Sequence, residues 1–149
     1  MNVQGFFDAL VTHALTLGQY DRVSTHEPKN APGNGVSAAV WSTSTGAATG
    51  SGLAATTCRI EFLVRSYSNM LQEPQDEIDP NVVRAADALM TAYSGDFTLG
   101  GTIKNIDLLG QAGAGLRSQS GYLTIDHVMY RTVDVFVPLI VNDAWAQVA

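Results

Sequence analysis

The sequence has 149 residues, of which 46% are hydrophobic and 15% charged, a composition typical of one globular domain spanning residues 1–149. Its formal charge of −6, with only eight Lys and Arg residues scattered along the chain, argues against a nonspecific nucleic-acid binder, which needs clustered positive charge. The single cysteine, Cys58, excludes an intrachain disulfide and a paired-cysteine metal site, and we expect its side chain to be buried.

The N-terminal residues predict an amphipathic helix. Between Val3 and Leu17 apolar side chains recur at steps of three and four, and Gly18 follows where a helix commonly ends. His13 lies at the border of the apolar stripe, where we expect a half-exposed histidine that is hydrogen-bonded to a neighbour. The segment does not resemble a signal peptide, and no apolar run approaches the roughly 20 residues of a membrane span, so we expect an aqueous, reducing compartment.

The next part of the chain predicts a short strand and turns over residues 20–35 and a strand over Val36–Thr43 that contains Trp41. Residues 42–56 consist of Gly, Ala, Ser and Thr except for one leucine, which predicts a long flexible hairpin loop at about residues 43–56. We expect this loop to become ordered on docking. A phosphate-binding loop is disfavoured, because no Lys or Arg lies between Lys29 and Arg59.

Residues Thr57–Tyr67 give the clearest strand pattern. One face of this strand is apolar: Cys58, Ile60, Phe62 and Val64. The opposite face mixes charged and apolar side chains: Arg59, Glu61, Leu63, Arg65 and Tyr67. A solvated sheet face is the favoured interpretation of the mixed face, and a partner-binding face is the alternative.

A second helix is predicted after the acidic stretch EPQDEIDP, residues 73–80. Asp79 precedes Pro80, which predicts Asp79 as the helix N-cap. The apolar stripe of this helix is Val82, Val83, Ala86, Leu89, Met90 and Tyr93, and Gly95 ends it. Its flank is formed by small side chains that would let another backbone approach closely: Ala85, Ala88 and Ala92.

The C-terminal part predicts a turn, a short strand and a turn over residues 99–110, followed by a β-rich block over 121–145. We divide this block at a hairpin turn near Asp126 and His127, because one strand of that length would be unusual. Pro138 cannot donate to a sheet ladder, so we expect it at an edge or a bulge.

Motifs for chemistry are missing from the sequence, and we predict no enzyme, no cofactor and no metal site. A calcium loop starting at Asp76 fails, because Ile78, Pro80 and Asn81 occupy positions that need oxygen ligands or glycine. An acid/base pair in the same stretch is disfavoured, because carboxylates between two prolines are expected to be solvated. A small enzyme with a site assembled from scattered residues remains an alternative.

Three long phrases resemble one protein family: SGLAATTCRIEFLVRSYSNM (51–70), EPQDEIDPNVVRAADALMTAYSGDFTLGGTIKNIDLLG (73–110) and GYLTIDHVMYRTVDVFVPLIVNDAW (121–145). They are similar to tail terminator, or tail completion, proteins of siphophages, in particular those that infect actinobacteria. The resemblance implies a lambda-type tail terminator-like α+β fold, with one mainly antiparallel sheet and two main helices. None of the three phrases is a catalytic motif.

The resemblance also implies a virion protein without a cofactor. Such a protein forms a hexameric ring that caps the head-proximal end of the tail tube, ends tube polymerisation and joins the tail to the head–neck connector proteins. DNA passes through the ring without specific binding. Candidate contacts with other subunits or the tube are Trp41, Arg59, Glu61, Leu63, Arg65, Ala85, Ala88, Ala92 and Pro138. A neck or head–tail connector protein, or a tail tube subunit, is the alternative within the same virion.

Overall fold

A computed structural model describes residues 1–28, 35–48, 55–70 and 75–146 of the chain. These residues form one six-stranded sheet and two α-helices, which is the predicted α+β class. In chain order the elements are α1 (Val3–Thr16), β1 (Arg22–Ser24), β2 (Val36–Ala47), β3 (Ala55–Asn69), a 3-10 turn (Gln75–Glu77), α2 (Ile78–Gly95), β4 (Asn105–Ile106), β5 (Arg117–Ile125) and β6 (Val128–Ala146).

The strands lie in the order β1-β2-β3-β6-β4, and β5 pairs with β6 on the same side as β4. Every pairing is antiparallel except that of β1 with β2. The β3–β6 ladder is the longest, running from Ala55 opposite Ala146 to Asn69 opposite Tyr130. The sheet is therefore mainly antiparallel, as predicted.

The two faces of the sheet differ. Both helices pack on one of them, which we call the helix face, and together they enclose the main core. Buried side chains of α1, β3, α2 and β6 fill it, among them Phe6, Leu10, Cys58, Ile60, Phe62, Val64, Val82, Leu89, Val133, Val135, Val137 and Leu139. The predicted alternation of the third strand and the burial of Cys58 are confirmed.

Helix α1 is confirmed, and its ends have clear physical causes. The Asn2 side chain accepts a hydrogen bond from the Gly5 backbone N–H at 3.0 Å, and Gly18 follows the helix with a φ of 70°, which suits glycine. His13 is half-exposed, as predicted, and its Nε2 lies 2.9 Å from Asp96 Oδ2 at the end of α2. This contact joins the two helices.

The prediction that Asp79 is the N-cap of α2 is wrong. The helix begins at Ile78, its N-cap residue is Glu77, and no side chain caps it. Ile78 is buried, so apolar packing moves the start of the helix ahead of Asp79. Pro80 is still tolerated, because the first N–H groups of a helix have no internal partner. Asp79 Oδ1 instead accepts a hydrogen bond from Arg131 Nε at 2.7 Å.

The apolar stripe of α2 is rotated relative to the predicted one. Val83 is 44% exposed, whereas Ala85 is fully buried. Ala85 lies in the core against the sheet, where its small side chain allows a close approach of helix and sheet. Ala88 and Ala92 are half-buried.

The predicted flexible loop at about residues 43–56 is wrong for its first part. Strand β2 continues to Ala47, which pairs with Cys58, and β3 begins at Ala55. A register shift between Ser42 and Ser44 leaves Thr43 as a bulge. Pairing with β3 overrides the weak strand propensity of small residues. Residues 49–54 lie outside the described ranges.

The two predictions for the C-terminal block have different outcomes. The hairpin turn at Asp126 and His127 is confirmed, with φ values of 50° and 63°, as the usual two-residue hairpin turn requires. The edge or bulge predicted at Pro138 is wrong, because β6 lies inside the sheet and Pro138 pairs with Glu61. Its carbonyl accepts a hydrogen bond from the Asp107 N–H at 2.9 Å, and its missing N–H faces the gap between the ends of β4 and β5.

Replacing Asp79 by alanine tests the revised start of α2. An ion pair with an Asp79 side chain that is 60% exposed should contribute about 0–1 kcal/mol, and this contribution should fall in 1 M NaCl, about the ionic strength at which the Debye length is 3 Å. We expect a small loss in urea unfolding at low salt and almost none at high salt. Asp87→Ala, on the exposed side of α2, is the control. A salt-independent loss of about 1 kcal/mol or more would favour the N-cap role after all.

The acid limb of the stability curve tests the contacts of the Asp96 carboxylate at the end of α2. The Gly100 backbone N–H, and secondly His13, lower the pKa of Asp96 below its ordinary value. A lowered pKa stabilises the fold above the unfolded-state value of about 4 and is lost as the pH falls through the folded-state value. We therefore expect Asp96→Asn to lose less stability than the wild type between pH 5 and pH 3 in urea titrations. Parallel curves would contradict this.

Candidate functional site

Six of the nine predicted contact residues lie on the sheet face opposite the helices, which we call the outer face. It is defined by alternate residues of four strands: Trp41 of β2, Arg59, Glu61, Leu63 and Arg65 of β3, Asp134, Phe136 and Pro138 of β6, and Arg117 of β5. The register places Trp41, Leu63 and Phe136 side by side in one row, and Glu61 next to Pro138. The β3–β6 ladder brings these residues together.

The pair of Arg65 and Asp134 forms one half of the outer face. The guanidinium donates through Nε and Nη2 to the two carboxylate oxygens, at 2.6 and 3.0 Å, and these bonds are the main cause of a raised pKa of Arg65. Its Cζ also lies 5.3 Å from the ring centroid of Trp41. A bidentate pair combined with an aromatic contact holds the guanidinium in one orientation.

Glu61 is the centre of the other half. Its carboxylate lies 3.7 Å from Arg59 Nη2 and 3.5 Å from Arg117 Nη1, and it accepts a hydrogen bond from Thr43 Oγ1 at 3.0 Å. The Arg117 guanidinium lies 4.1 Å from the ring centroid of Phe136. Thr43 is the bulged residue of β2, and its hydroxyl adds a hydrogen bond to the Glu61 carboxylate.

A loop between β4 and β5, residues 107–116, is held together by the buried Asp107. Its two carboxylate oxygens accept three backbone hydrogen bonds, from the N–H groups of Gly110, Gln111 and Ala112 at 3.1, 2.8 and 2.9 Å. The Leu116 N–H closes the base of the loop on the Asp107 carbonyl at 3.1 Å. The loop therefore has a fixed shape although it is rich in glycine.

This loop covers part of the outer face. Arg59 Nη2 donates a hydrogen bond to the Ala114 carbonyl. Gly113 has a φ of 145°, and a Cβ there would lie 2.9 Å from the Arg59 guanidinium carbon, so only glycine fits. The side chains of Arg59 and Glu61 are only 16% and 12% exposed. The favoured interpretation of a solvated face is therefore wrong, because the charges are half-buried and paired within the chain.

The three predicted alanine contacts lie elsewhere. Ala85, Ala88 and Ala92 belong to α2, on the helix side of the sheet, and the structure does not bring them to the outer face. Ala85 is unavailable to a partner, because it is buried in the core. Leu63 and Pro138 are also buried, so on the outer face they support their neighbours.

Sequence reasoning missed Arg117, Asp134 and Phe136 as members of the outer face. Asp134 and Phe136 alternate with buried valines along β6, so the pattern placed them on the opposite side of that strand. The pairing with Arg65 and Leu63 depends on the register between strands that are distant in sequence, and no local signal gives that register.

The described ranges offer little for other kinds of site. They contain no group of three or more His, Cys, Asp and Glu side chains placed to hold a metal ion, and none of their helices is long and apolar enough to cross a membrane. A recess of about 400 Å³ lies beside the start of α2 and is lined by Met70, Ile78, Asp79, Tyr122 and Arg131. Its two charged residues neutralise each other.

No protein-family model matches the sequence, and no curated protein matches it. Among solved structures, the chain is similar to a chain of the "Virion of native gene transfer agent (GTA) particle". The identity is 13%, the match covers 90% of this chain and 92% of that chain, and the TM-score is 0.40. A likeness at this level is too coarse to support a functional conclusion.

Replacing Asp134 by alanine tests whether the outer face contributes to stability. The change leaves the guanidinium of Arg65 half-buried without its carboxylate, and we expect a loss of about 2 kcal/mol, below the range for a fully buried pair because both side chains are about one-fifth exposed. Arg84→Ala, which removes an exposed arginine from α2, should change the free energy of unfolding little. A loss below about 0.5 kcal/mol for Asp134→Ala in urea unfolding would mean that the pair is weak, as exposed pairs are.

Proposed function

We propose that this chain is a structural protein of a siphophage virion, and specifically a tail terminator. It would form a hexameric ring on the head-proximal end of the tail tube, end tube polymerisation and provide the joint to the head–neck connector proteins. The main supporting observation is the outer face. Within the described chain both helices pack on the other side of the sheet, so no helix covers the outer face, and its side chains are fixed by their contacts with one another and with the loop 107–116.

The position of the resembling phrases supports the proposal. The phrase at 51–70 includes all of β3, the phrase at 73–110 includes α2 and β4, and the phrase at 121–145 includes most of the β5–β6 hairpin. The residues that prompted the resemblance therefore build the sheet and the longer helix. The resemblance therefore extends over several elements between residues 51 and 145 and is not one local motif, whereas α1, β1 and β2 lie outside the three phrases.

The charges of the outer face fit a contact with protein. Three arginines and two carboxylates pair with one another: Arg59, Arg65, Arg117, Glu61 and Asp134. Because Arg59 and Arg117 share Glu61, the five charges leave one net positive charge, which a neighbour can meet with a single acidic or polar group. The fixed side chains lose little entropy on contact. The formal charge of −6 for the whole chain also suits a ring through which DNA passes without being held.

The second candidate is a tail tube subunit, or a neck protein of the same virion. One observation favours the tube subunit: the sheet dominates the fold, and β6 alone is 19 residues long. A tube subunit and a terminator differ in behaviour, since the former polymerises without limit and the latter stops at a ring.

Imaging of the purified protein with tail tubes tests the proposal. We expect rings at tube ends in negative stain and an arrest of tube growth when the protein is added to polymerising tube subunits. Long tubes formed by the chain itself would support the tube subunit. A chain that neither binds tube ends nor assembles would contradict both.

A variant pair connects this assay to the outer face. Trp41→Glu places a negative charge on that face next to Arg65, with which it can pair, so we expect the fold to be kept and binding to tube ends to be lost. Leu15→Glu is the matched control, because Leu15 is 55% exposed on α1, on the other side of the sheet. Equal binding by both variants, with unchanged melting curves, would remove the outer face from the proposal.

A further inference from the structure

Strand β5 forms an open edge of the sheet. Its residues pair with β6 on one side, and on the other side no strand of the described chain pairs with them. One face of β5 is exposed, with Ser118, Ser120 and Tyr122, the last at 63%, whereas on the other face Leu123 and Ile125 are partly buried against the outer face of the sheet. The backbone N–H and C=O groups along the free side of β5 therefore have no partner strand within the described chain.

The direction of these backbone groups follows from the hydrogen bonds of β6. The carbonyls of Pro138 and Ile140 accept hydrogen bonds from residues 107 and 104, next to β4, at 2.9 Å each. The carbonyl of Met129 accepts one from Met70, at the end of β3, at 3.1 Å. Even-numbered residues of β6 therefore direct their backbone groups towards β4 and β5, and odd-numbered ones towards β3.

The same alternation assigns the backbone groups of β5. Phe136 is even-numbered and lies opposite Arg117, so Arg117 exchanges hydrogen bonds with β6. The other odd-numbered residues of β5 also lie opposite even-numbered residues of β6 and exchange hydrogen bonds with them. The free side of β5 therefore carries the N–H and C=O groups of Ser118, Ser120, Tyr122 and Thr124.

The free edge of β5 lacks the devices that usually prevent strand pairing. Exposed edges in monomeric proteins are commonly protected by proline, by lysine or by a bulge. Residues 117–125, RSQSGYLTI, contain no proline and no lysine, and the register with β6 is continuous. An edge of this kind can accept another strand through main-chain hydrogen bonds.

Strand β1, at the opposite edge of the sheet, lies at the same height along the strand direction as the middle of β5 and runs antiparallel to it. Val23 of β1 lies in one row with Ala38, Ser66, Val133 and Ser120, so β1 and the middle of β5 are at the same height. Because β1 is parallel to β2 and every other pairing is antiparallel, β1 and β5 run in opposite directions. Copies placed side by side in the same orientation would therefore bring β5 of one against β1 of the next, antiparallel.

We propose that β5 of one copy pairs antiparallel with β1 of a second copy, so that the sheet continues from subunit to subunit. The contact is heterologous, because each copy contributes a different edge, and such contacts generate a closed ring where the rotation between neighbours closes and an open filament where it does not. The inference specifies the subunit contact of the ring proposed above, and only its biological setting rests on that function. Since β1 has three residues, the contact contains few hydrogen bonds, and assembly should require a high local concentration.

A proline on the free side of β5 tests the contact. Ser120→Pro removes an N–H that points away from β6, so the ladder within the chain remains intact. We expect self-association in sedimentation velocity to weaken about tenfold or more, whereas Ser120→Ala should associate like the wild type. Circular dichroism and melting curves check that the proline variant is folded. A folded Ser120→Pro variant that associates like the wild type overturns the proposal.

A disulfide test identifies the partner strand. Ser24, Ala39, Arg65, Asp134 and Gln119 lie in one row, so Ser24→Cys and Gln119→Cys in one chain should face each other across the proposed contact. We expect oxidation to give a ladder of covalent oligomers that ends at a closed ring, whereas each single variant should stay uncrosslinked. Cys58 is fully buried and should not react.

The remaining outcomes decide against the proposal. If β5 paired antiparallel with β5 of another copy over its full length, Arg117 would lie opposite Ile125 and Gln119 opposite Leu123. The two introduced cysteines would then not meet, and the double variant would give no ladder although the wild type associates. A wild type that stays monomeric at its highest soluble concentration, together with no crosslinking, also overturns it. Failure of the proposed function is distinct, because in that case rings form and crosslink but do not bind tube ends.

Discussion

The ladder between β3 and β6 is the constraint on which the rest of the structure depends. The two strands pair from Ala55 opposite Ala146 to Asn69 opposite Tyr130, and they occupy the middle of the sheet. Because side chains alternate along a strand, this register decides which residues enter the core and which form the outer face. A slip of one residue would exchange Val135 with Asp134 and place a carboxylate under the helices, so the register is strongly specified.

The two faces that this ladder separates are stabilised by different interactions. The helix face is apolar, and burial of its side chains supplies most of the free energy of folding. The outer face contains half-buried charges, whose desolvation costs free energy that the pairing of Arg65 with Asp134 and the contacts around Glu61 offset. Its contribution is therefore less to net stability than to a defined shape, because Arg65 pairs with Asp134, and Arg59 and Arg117 lie 3.7 and 3.5 Å from the Glu61 carboxylate.

Local sequence patterns predicted the elements that depend on local physics. Helix α1 with its Gly18 terminator, the alternation of β3 and the turn at Asp126 and His127 follow from periodicity and turn chemistry. The errors arose where a distant contact changed a local preference. Burial of Ile78 moved the start of α2, and pairing with β3 extended β2 through residues that resemble a linker.

The candidate site was predicted less completely than the fold. Alternation identified Arg59, Glu61 and Arg65 as one face, but the choice between a solvated face and a contact surface depended on their partners. Those partners come from β6, from β5 and from the loop that Asp107 organises, all far away in sequence. A strand pattern gives the side of a residue and not its neighbour across the sheet, so a single sequence could not decide between the two interpretations.

The arrangement of strands also limits how copies can associate. Strand β4 pairs at Leu139 and Ile140, whereas β5 pairs along Val128–Phe136, so the two share one side of β6 without overlapping. Pro138 lies between them, where the absence of an N–H removes a donor that neither strand could satisfy. The long β5 edge is thereby confined to one half of the sheet, at the height of β1. Since the two edges differ in length and run in opposite directions, copies in the same orientation can join edge to edge, and a contact between two different edges is heterologous and not two-fold.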